Sequence, residues 1–294
     1  MDYSFPHYLL SKQSVDDRAI NRSVYEALKA SLPSQPLRIM EVGAGIGTML
    51  RRLLRWGLFQ EAEYLVVDEM VENIAYASTW IPQWADENRL QVERRGENRL
   101  RLFDVVRDVC ITLIEQDVFA FIQSKPAPAD ILIAHAFLDL LPLLDALPAL
   151  FSLLHPAGLA WLTINYDGLT SFEPPVDPQL DASIERLYHR TMDERPSGGD
   201  SQTGRHLFGH LKAAGVELLA SGASDWVVHP VNGQYPADEA YFLNFILHFF
   251  EQSLTDNPEL DPTALKHWLA VRRAQVESGE LVYIAHQIDF LVRV

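Results

Sequence analysis

The chain has 294 residues, enough for one large α/β domain or for a core domain with a smaller elaboration. Asp and Glu number 40 against 24 Lys and Arg, and this net charge of −16 argues against nucleic acid or an anionic membrane as a partner. The single cysteine excludes an intrachain disulfide, and no apolar run is as long as a membrane span. Because the first residues show no signal peptide, we expect a cytoplasmic protein.

A strand, a tight turn and a helix are predicted near the start of the chain. An apolar run, Leu37–Val42, leads into three glycines with G-x-G-x-G spacing, Gly43, Gly45 and Gly47. An apolar helical pattern begins at Thr48. Glycine suits such a turn because a side chain would block the approach of a ligand to the backbone, and some positions need a positive φ. The turn is therefore a predicted ligand site.

Strands and helices alternate after this turn, which predicts a parallel sheet covered on both faces. The later predicted strands are 62–68, 109–115, 130–134 and 159–165, with 99–105 as a hairpin partner of 109–115. Ligands of open α/β sheets bind beyond the carboxyl ends of the strands. The polar residues at those ends are Glu41, Asp68, Asp117, His135 and Asn165.

The second half is predicted to contain more helix. Helices are expected over 180–192, from Asp200 to about Gly215, over 237–254 and over 262–278. Shorter strands are expected at 216–219 and 226–229, and a long last strand at 281–292. The stretch 241–250 is apolar nearly all round, so we expect it to be buried in the fold or in a homo-oligomer.

Glu41 narrows the class of ligand. In the dinucleotide fingerprint G-x-G-x-x-G, a pyrophosphate rests on the helix N-terminus. A carboxylate at this turn would repel a pyrophosphate, but it suits a ligand with a positive amino group or sulfonium. The pattern E-x-G-x-G-x-G resembles the first motif of class I S-adenosylmethionine-dependent methyltransferases. The alternative is a Gly-rich turn in some other doubly wound protein.

Four matched places between Leu37 and Asp167 carry this resemblance. It implies that the cofactor is S-adenosylmethionine, that Glu41 orients its amino group, and that the acid ending the second strand, Asp68 in preference to Glu69, binds the ribose hydroxyls. Asp117 would accept the adenine amine, although a helix N-cap explains this residue equally well. The implied cofactor-binding residues are Glu41, Gly43, Ala44, Gly45, Gly47, Asp68, Glu69, Asp117, Val118, Ala134 and Phe137.

The residues for substrate and catalysis are less directly indicated. His135 is the candidate general base, because neutral imidazole accepts protons near pH 7. Alternatively, it only shapes the pocket or hydrogen-bonds the cofactor. Arg205 could bind a substrate carboxylate or pair with Asp200, and the pairing is favoured. No zinc-ligand spacing is present, so no metal is expected. The candidate substrate-binding residues are Asn165, Tyr166, Arg205, Trp226 and Tyr235.

The resemblance implies a doubly wound, seven-stranded, mostly parallel sheet. We expect an N-terminal helical cap (1–36), an α/β core that binds the cofactor (37–230 and 281–294), and a helical insertion (231–280) that forms a lid or interface within the same domain. The expected activity is methyl transfer to an O, N or C nucleophile of a small molecule. The alternatives are an S-adenosylmethionine-binding regulatory or assembly protein and, less favoured, an NAD-dependent oxidoreductase.

Overall fold

A computed structural model of the protein describes residues 3–196 and 198–294. The predicted N-terminal cap (1–36) is therefore described from Tyr3 onward, because Met1 and Asp2 lie outside the described residues. Ser197, which falls between predicted helices, also lies outside them. None of the described helices combines the length and apolar character needed to cross a lipid bilayer.

The described strands form one mixed sheet in the spatial order β3-β4-β5-β2-β1-β6-β7-β10-β8, with β9 paired to β10. Strands β5, β2, β1, β6 and β7 are parallel, and β10 runs antiparallel to both β7 and β8. The strands are β1 Leu37–Val42, β2 Glu61–Asp68, β3 Gln91–Arg94, β4 Arg99–Phe103, β5 Asp108–Glu115, β6 Ala129–His135, β7 Leu154–Glu173, β8 Glu217–Ala223, β9 Trp226–Val228 and β10 Val282–Arg293.

Seven of these strands, β1, β2, β5, β6, β7, β8 and β10, form the predicted doubly wound sheet, so the fold-class prediction is confirmed. The hairpin β3–β4 extends it beyond β5 as extra antiparallel strands. The helices are α1 Phe5–Ser11, α2 Gln13–Ala19, α3 Arg22–Ser31, α4 Thr48–Trp56, α5 Val71–Glu87, α6 Val118–Gln123, α7 Leu143–Phe151, α8 Pro178–Asp193, α9 Thr203–Ala213, α10 Glu239–Leu254 and α11 Pro262–Ser278, with a 3-10 turn at Leu138–Leu140.

Each face of the sheet has its own hydrophobic core. Successive side chains of a strand point to opposite faces, so Ile39 and Met40 of β1 belong to different cores. The same division separates Val66 and Val67 of β2. This burial on both faces explains why β1 and β2 are nearly continuous apolar runs.

Strand β7 is longer than the sequence predicted. The prediction ended at Asn165, but β7 continues to Glu173 because it remains paired with β10, as in the pairing of Phe172 with Tyr283. Polar residues such as Asp167 and Thr170 interrupt the apolar pattern there, which hid the second half of the strand. Buried Phe172 contacts Phe250 of α10 with ring centroids 5.3 Å apart.

Helix α10 is buried within the fold. Phe242 and Leu247 are inaccessible to solvent, and Phe242 stacks on Tyr8 of α1 with centroids 5.8 Å apart. Helix α11 is joined to α8 by the ion pair between buried Arg272 and Asp181, 2.7 Å apart. Burial of the apolar helix in the fold is therefore found, whereas the boundaries of the insertion and its role as lid or interface stay predictions.

Candidate functional site

A cavity of about 570 Å³ lies beyond the carboxyl ends of β1, β2, β5 and β6. Its volume is typical of small-molecule sites. Several chain segments meet there because the ends of neighbouring parallel strands reach the same edge of the sheet. Of the predicted cofactor-binding residues, the cavity wall contains Glu41, Gly43, Ala44, Gly45, Asp68, Glu69, Asp117, Val118 and Phe137.

The Gly-rich turn needs glycine at two positions where other side chains lie against it. Gly43 has φ +60°, and a Cβ there would lie 2.1 Å from the Phe137 ring. Gly45 has φ +56°, and a Cβ there would lie 2.7 Å from Leu9 of α1. Both the left-handed backbone and the close contacts exclude a larger residue. Gly47 begins α4 but does not line the cavity.

Asp68 holds the shape of this turn. Its Oδ2 accepts a hydrogen bond from the Gly45 backbone N–H at 2.7 Å. Its Oδ1 accepts two, from Met70 N–H at 3.0 Å and Asn73 Nδ2 at 2.9 Å. A carboxylate has about four acceptor positions, so roughly one remains for a ligand. Glu69 follows in the chain, is exposed and also lines the cavity.

Asp117 caps α6, as one of its two predicted roles requires. Its Oδ1 accepts hydrogen bonds from Phe119 N–H at 3.0 Å and Ala120 N–H at 2.9 Å. The side chain also lies in the cavity wall beside Val118. Because both bonds go to Oδ1, the other carboxylate oxygen is available to a ligand. The N-cap prediction is thus confirmed, and the geometry leaves room for adenine recognition.

Glu41 is a buried carboxyl group at the base of the cavity. It is 2% exposed, and Tyr64 donates a hydrogen bond to its Oε2 at 2.6 Å. Burial raises the pKa of Glu41 to about 8, despite the opposing effects of Tyr64, Arg52 and Lys12. A cation bound beside this group would favour the ionised form and lower the pKa again.

His135 is held by hydrogen bonds at both ring nitrogens. Nε2 lies 3.0 Å from Oδ2 of Asp16, and Nδ1 lies 2.8 Å from Oγ1 of Thr163. Burial lowers the pKa of His135 to about 4, so the ring is neutral at pH 7. Burial alone would raise the pKa of Asp16, but Lys12, the contact with His135 and Arg52 together hold it well below its usual range.

The negative charge of Asp16 determines which ring nitrogen of His135 carries the proton. An ionised Asp16 can only accept, so Nε2 carries the proton and Nδ1 accepts from the Thr163 hydroxyl. Neither nitrogen then has a lone pair free for a substrate proton. The arrangement does not support the predicted role as general base; His135 instead lies in the cavity wall and fixes the N-terminal segment against β6. Thr163 is fully buried.

Ala134 and the predicted substrate-binding residues lie outside the cavity wall. Ala134 is fully buried in β6 beside Val42 of β1. Asn165 is fully buried and donates to two carbonyl groups, that of Leu162 in its own strand and that of Ile288 in β10. The hydroxyl of Tyr166 bonds Thr170 at 2.7 Å. Position at a strand end did not bring these side chains to the cavity.

The other three substrate candidates also have partners elsewhere. Arg205 forms an ion pair with Asp167 at 2.9 Å, not with Asp200 as favoured from the sequence. Trp226 Nε1 donates to Asp16 at 2.9 Å, which adds to the cluster around His135. Tyr235 donates to the carbonyl group of Leu281 at 2.8 Å. The prediction for Arg205 was wrong because β7 continues past Asn165 and carries Asp167 next to α9, where Arg205 lies.

Several cavity residues were not predicted from the sequence. Lys12 reaches the cavity from between α1 and α2, and Arg195 reaches it from the loop after α8. An N-terminal segment folded over the cofactor is a feature of the resembling family, but no local pattern marked its individual residues. The additional wall residues include Phe5, Leu9, Lys12, Asn73, Leu140, Leu141 and Arg195.

The architecture matches solved methyltransferase structures. A protein described as a methyltransferase from Bacillus halodurans C-125 aligns with 93% of this chain and 99% of its own at 12% identity and TM-score 0.50. An S-adenosylmethionine-dependent methyltransferase from Thiobacillus denitrificans, solved with S-adenosylhomocysteine, aligns over 99% of both chains at 12% identity and TM-score 0.48. No protein-family model matches, and neither does any curated protein sequence. The protein has the class I methyltransferase fold.

Proposed function

We propose that the protein is an S-adenosylmethionine-dependent methyltransferase that acts on a small molecule. The observation that carries the proposal is that one cavity presents different acidic groups at different places in its wall. Acidic side chains with free acceptor positions, Glu69 and Asp117, follow β2 and β5, while buried Glu41 lies beside the Gly-rich turn. These are the groups that a ribose, an adenine amine and a positive amino group require.

Each part of the cofactor has a matching surface in this arrangement. Glu69 and the remaining acceptor position of Asp68 would take the two ribose hydroxyls. Asp117 would accept from the adenine amine through the oxygen that the helix cap leaves free. Glu41 would bind the amino group of the methionine part, and the Lys12 ammonium its carboxylate.

The bound cofactor would supply an electrophilic methyl group on a sulfonium. The contribution of the protein is then alignment of the acceptor and exclusion of water, which need no dedicated base. Phe5 and Leu9 of α1 line the cavity, and Leu9 lies against Gly45 of the Gly-rich turn. His135 keeps this segment in place through its bond to Asp16.

A labelled-methyl assay tests the proposal. Purified protein is incubated with methyl-labelled S-adenosylmethionine and a deproteinised small-molecule extract, and both S-adenosylhomocysteine and labelled products are measured. The expected result is a labelled small molecule formed in a 1:1 ratio with S-adenosylhomocysteine. Tight cofactor binding with no labelled product from any extract would instead favour the regulatory alternative.

Glu69→Ala is the matched variant for this assay, because Glu69 is exposed and the backbone does not depend on it. The Glu69→Ala variant should form product more slowly at low cofactor concentration. Its rate should recover at higher cofactor concentration, because the lost contact is to the cofactor. Glu72, on the exposed first turn of α5 and outside the cavity wall, offers a control as Glu72→Ala.

A further inference from the structure

Arg195 gives the cavity a cation for which the described part of the chain holds no close partner. It lies in the loop after α8 and lines the cavity. Its Nη1 is inaccessible to solvent and makes no hydrogen bond. The residue as a whole is half-buried, but this one nitrogen is removed from water without a direct partner, which is unfavourable unless a bound anion or a more distant protein charge compensates it.

Two acids close to Arg195 in sequence, Asp193 and Asp200, have other partners. Both carboxylate oxygens of Asp193 accept hydrogen bonds from Ser201, at 2.7 and 3.2 Å. Asp200 pairs with Nδ1 of His206 at 2.5 Å. Neither acid forms an ion pair with Arg195 within 4.0 Å in the described part of the chain.

Asp139, which follows β6, also lies near Arg195. Burial raises the pKa of Asp139, and the charge of Arg195 opposes this effect. The two groups interact only at a distance, because no ion pair within 4.0 Å joins them. An acid beyond 4.0 Å forms no direct ion pair with Arg195, so the hydrogen-bond donors of the guanidinium are not taken up by Asp139.

The position of Arg195 separates it from the cofactor-binding acids. A Cβ on Gly199 would lie 3.3 Å from the Asp139 carbonyl and 3.4 Å from Arg195 Cδ, so Arg195 lies beside the loop that follows β6. Glu69 and Asp117 follow β2 and β5, on the other side of β1. Three strand spacings separate β5 from β6, roughly 14 Å.

Lys12 also lies in the cavity wall, but unlike Arg195 it has close partners. Its Nζ lies 3.5 Å from Asp16 and over the Trp226 ring at 5.6 Å, so part of its charge is already compensated. Arg195 therefore stands as a single forked donor beside the apolar wall formed by Leu140 and Leu141. One guanidinium matches a carboxylate in charge and geometry, whereas a phosphate dianion would require further donors.

We propose that the methyl acceptor is a small carboxylic acid whose carboxylate is bound by Arg195, with its apolar part against Leu140 and Leu141. This inference rests on the proposed methyl transfer and names the substrate class for it. It also places the acceptor on the β6 side of the cavity, away from the surfaces assigned to ribose and adenine.

Matched acid and amide pairs test this inference on the full-length protein. The protein saturated with S-adenosylhomocysteine is titrated calorimetrically with benzoate and benzamide, phenylacetate and phenylacetamide, and hexanoate and hexanamide. At least one acid should bind at least about tenfold more tightly than its amide, because hydrogen bonds between charged groups are stronger than those between neutral groups. If no acid is preferred over its amide, the inference is wrong.

Two variants identify the residue responsible. Arg195→Met should abolish the preference for the acid while leaving S-adenosylhomocysteine affinity unchanged. Arg190→Met is the control, because Arg190 lies on α8 outside the cavity and pairs with Glu259. Arg190→Met should retain the preference. Equal loss in both variants would contradict a specific role for Arg195.

A purely structural role for Arg195 gives a different result. In that case Arg195→Met would lower the thermal midpoint, Asp139→Asn would restore it, and the preference for acids would persist. That outcome would overturn the inference. The proposed function fails separately: absence of S-adenosylhomocysteine binding to the unmodified protein contradicts it, whereas normal binding without any acid preference contradicts only the carboxylate subsite.

Discussion

Asp16 and His135, 119 residues apart in the chain, form a buried contact of 3.0 Å that fixes the N-terminal segment to the end of β6. Lys12 and Arg52 flank the same carboxylate at 3.5 and 3.7 Å. The wall residues that α1 contributes to the cavity therefore depend on a cluster of charges with almost no access to water.

Replacing Asp16 should be strongly destabilising. Asp16→Ala leaves two buried cations without their shared anion, and breaking such a buried network typically costs about 3–5 kcal/mol in the free energy of unfolding. Denaturant titration measures this loss. Asp238→Ala is the control: its side chain is 53% exposed and pairs with exposed His7, so we expect a loss below about 1 kcal/mol. Similar small losses in both variants would contradict the role of the cluster.

Acid should weaken the fold because His135 is buried. Because the pKa of His135 is about 4 in the folded protein against about 6.5 unfolded, the unfolded state binds more protons between these values. Stability from this group is present above pH 6.5 and is lost as the pH falls toward 4. The loss is on the order of 3 kcal/mol. Denaturant titrations at several pH values should show it, with a smaller slope in His135→Asn. An unchanged slope in this variant would assign the effect to other groups.

Cofactor binding should release a proton from Glu41. Its pKa of about 8 keeps the group largely protonated at pH 7, and the positive amino group of the cofactor favours the ionised form. The affinity should therefore rise from pH 7 toward pH 9. Calorimetry in two buffers of different ionisation enthalpy counts the released protons, and Glu41→Gln should release fewer. Equal proton release by both proteins would contradict this account of Glu41.

The two acids after β2 should differ in what they contribute. Glu69→Ala should weaken S-adenosylhomocysteine binding about tenfold without changing the thermal midpoint, because only a ligand contact is lost. Asp68→Ala should lower both affinity and thermal midpoint, because it removes one hydrogen bond to the Gly-rich turn and two to the start of α5. Calorimetry and thermal unfolding together distinguish these cases. A normal midpoint for Asp68→Ala would show that the turn does not need these bonds.

Local sequence patterns predicted the sheet and the cofactor side of the cavity. β1 and β2 are buried on both faces, so they are visible as apolar runs, and the glycines of the turn meet backbone and contact requirements that few residues satisfy. Asp117 was identified because a helix cap and a strand end coincide there. These features depend on neighbours in the chain, which a single sequence contains.

The substrate side could not be predicted in the same way. Arg195 reaches the cavity only through the packing of α8, and Asp16 meets His135 across 119 residues. Asn165 and Tyr166 occupy a strand end by pattern, yet β7 continues and directs them to other partners. Such contacts arise from tertiary structure, for which the sequence carries no periodic signal.

Calorimetric titration with S-adenosylmethionine, S-adenosylhomocysteine and NAD tests the central claim most directly. The account predicts that both sulfur nucleotides bind at one site per chain, that Glu69→Ala weakens both, and that NAD does not bind. Failure of both sulfur nucleotides to bind, or binding of NAD in their place, would contradict the assignment of the cavity.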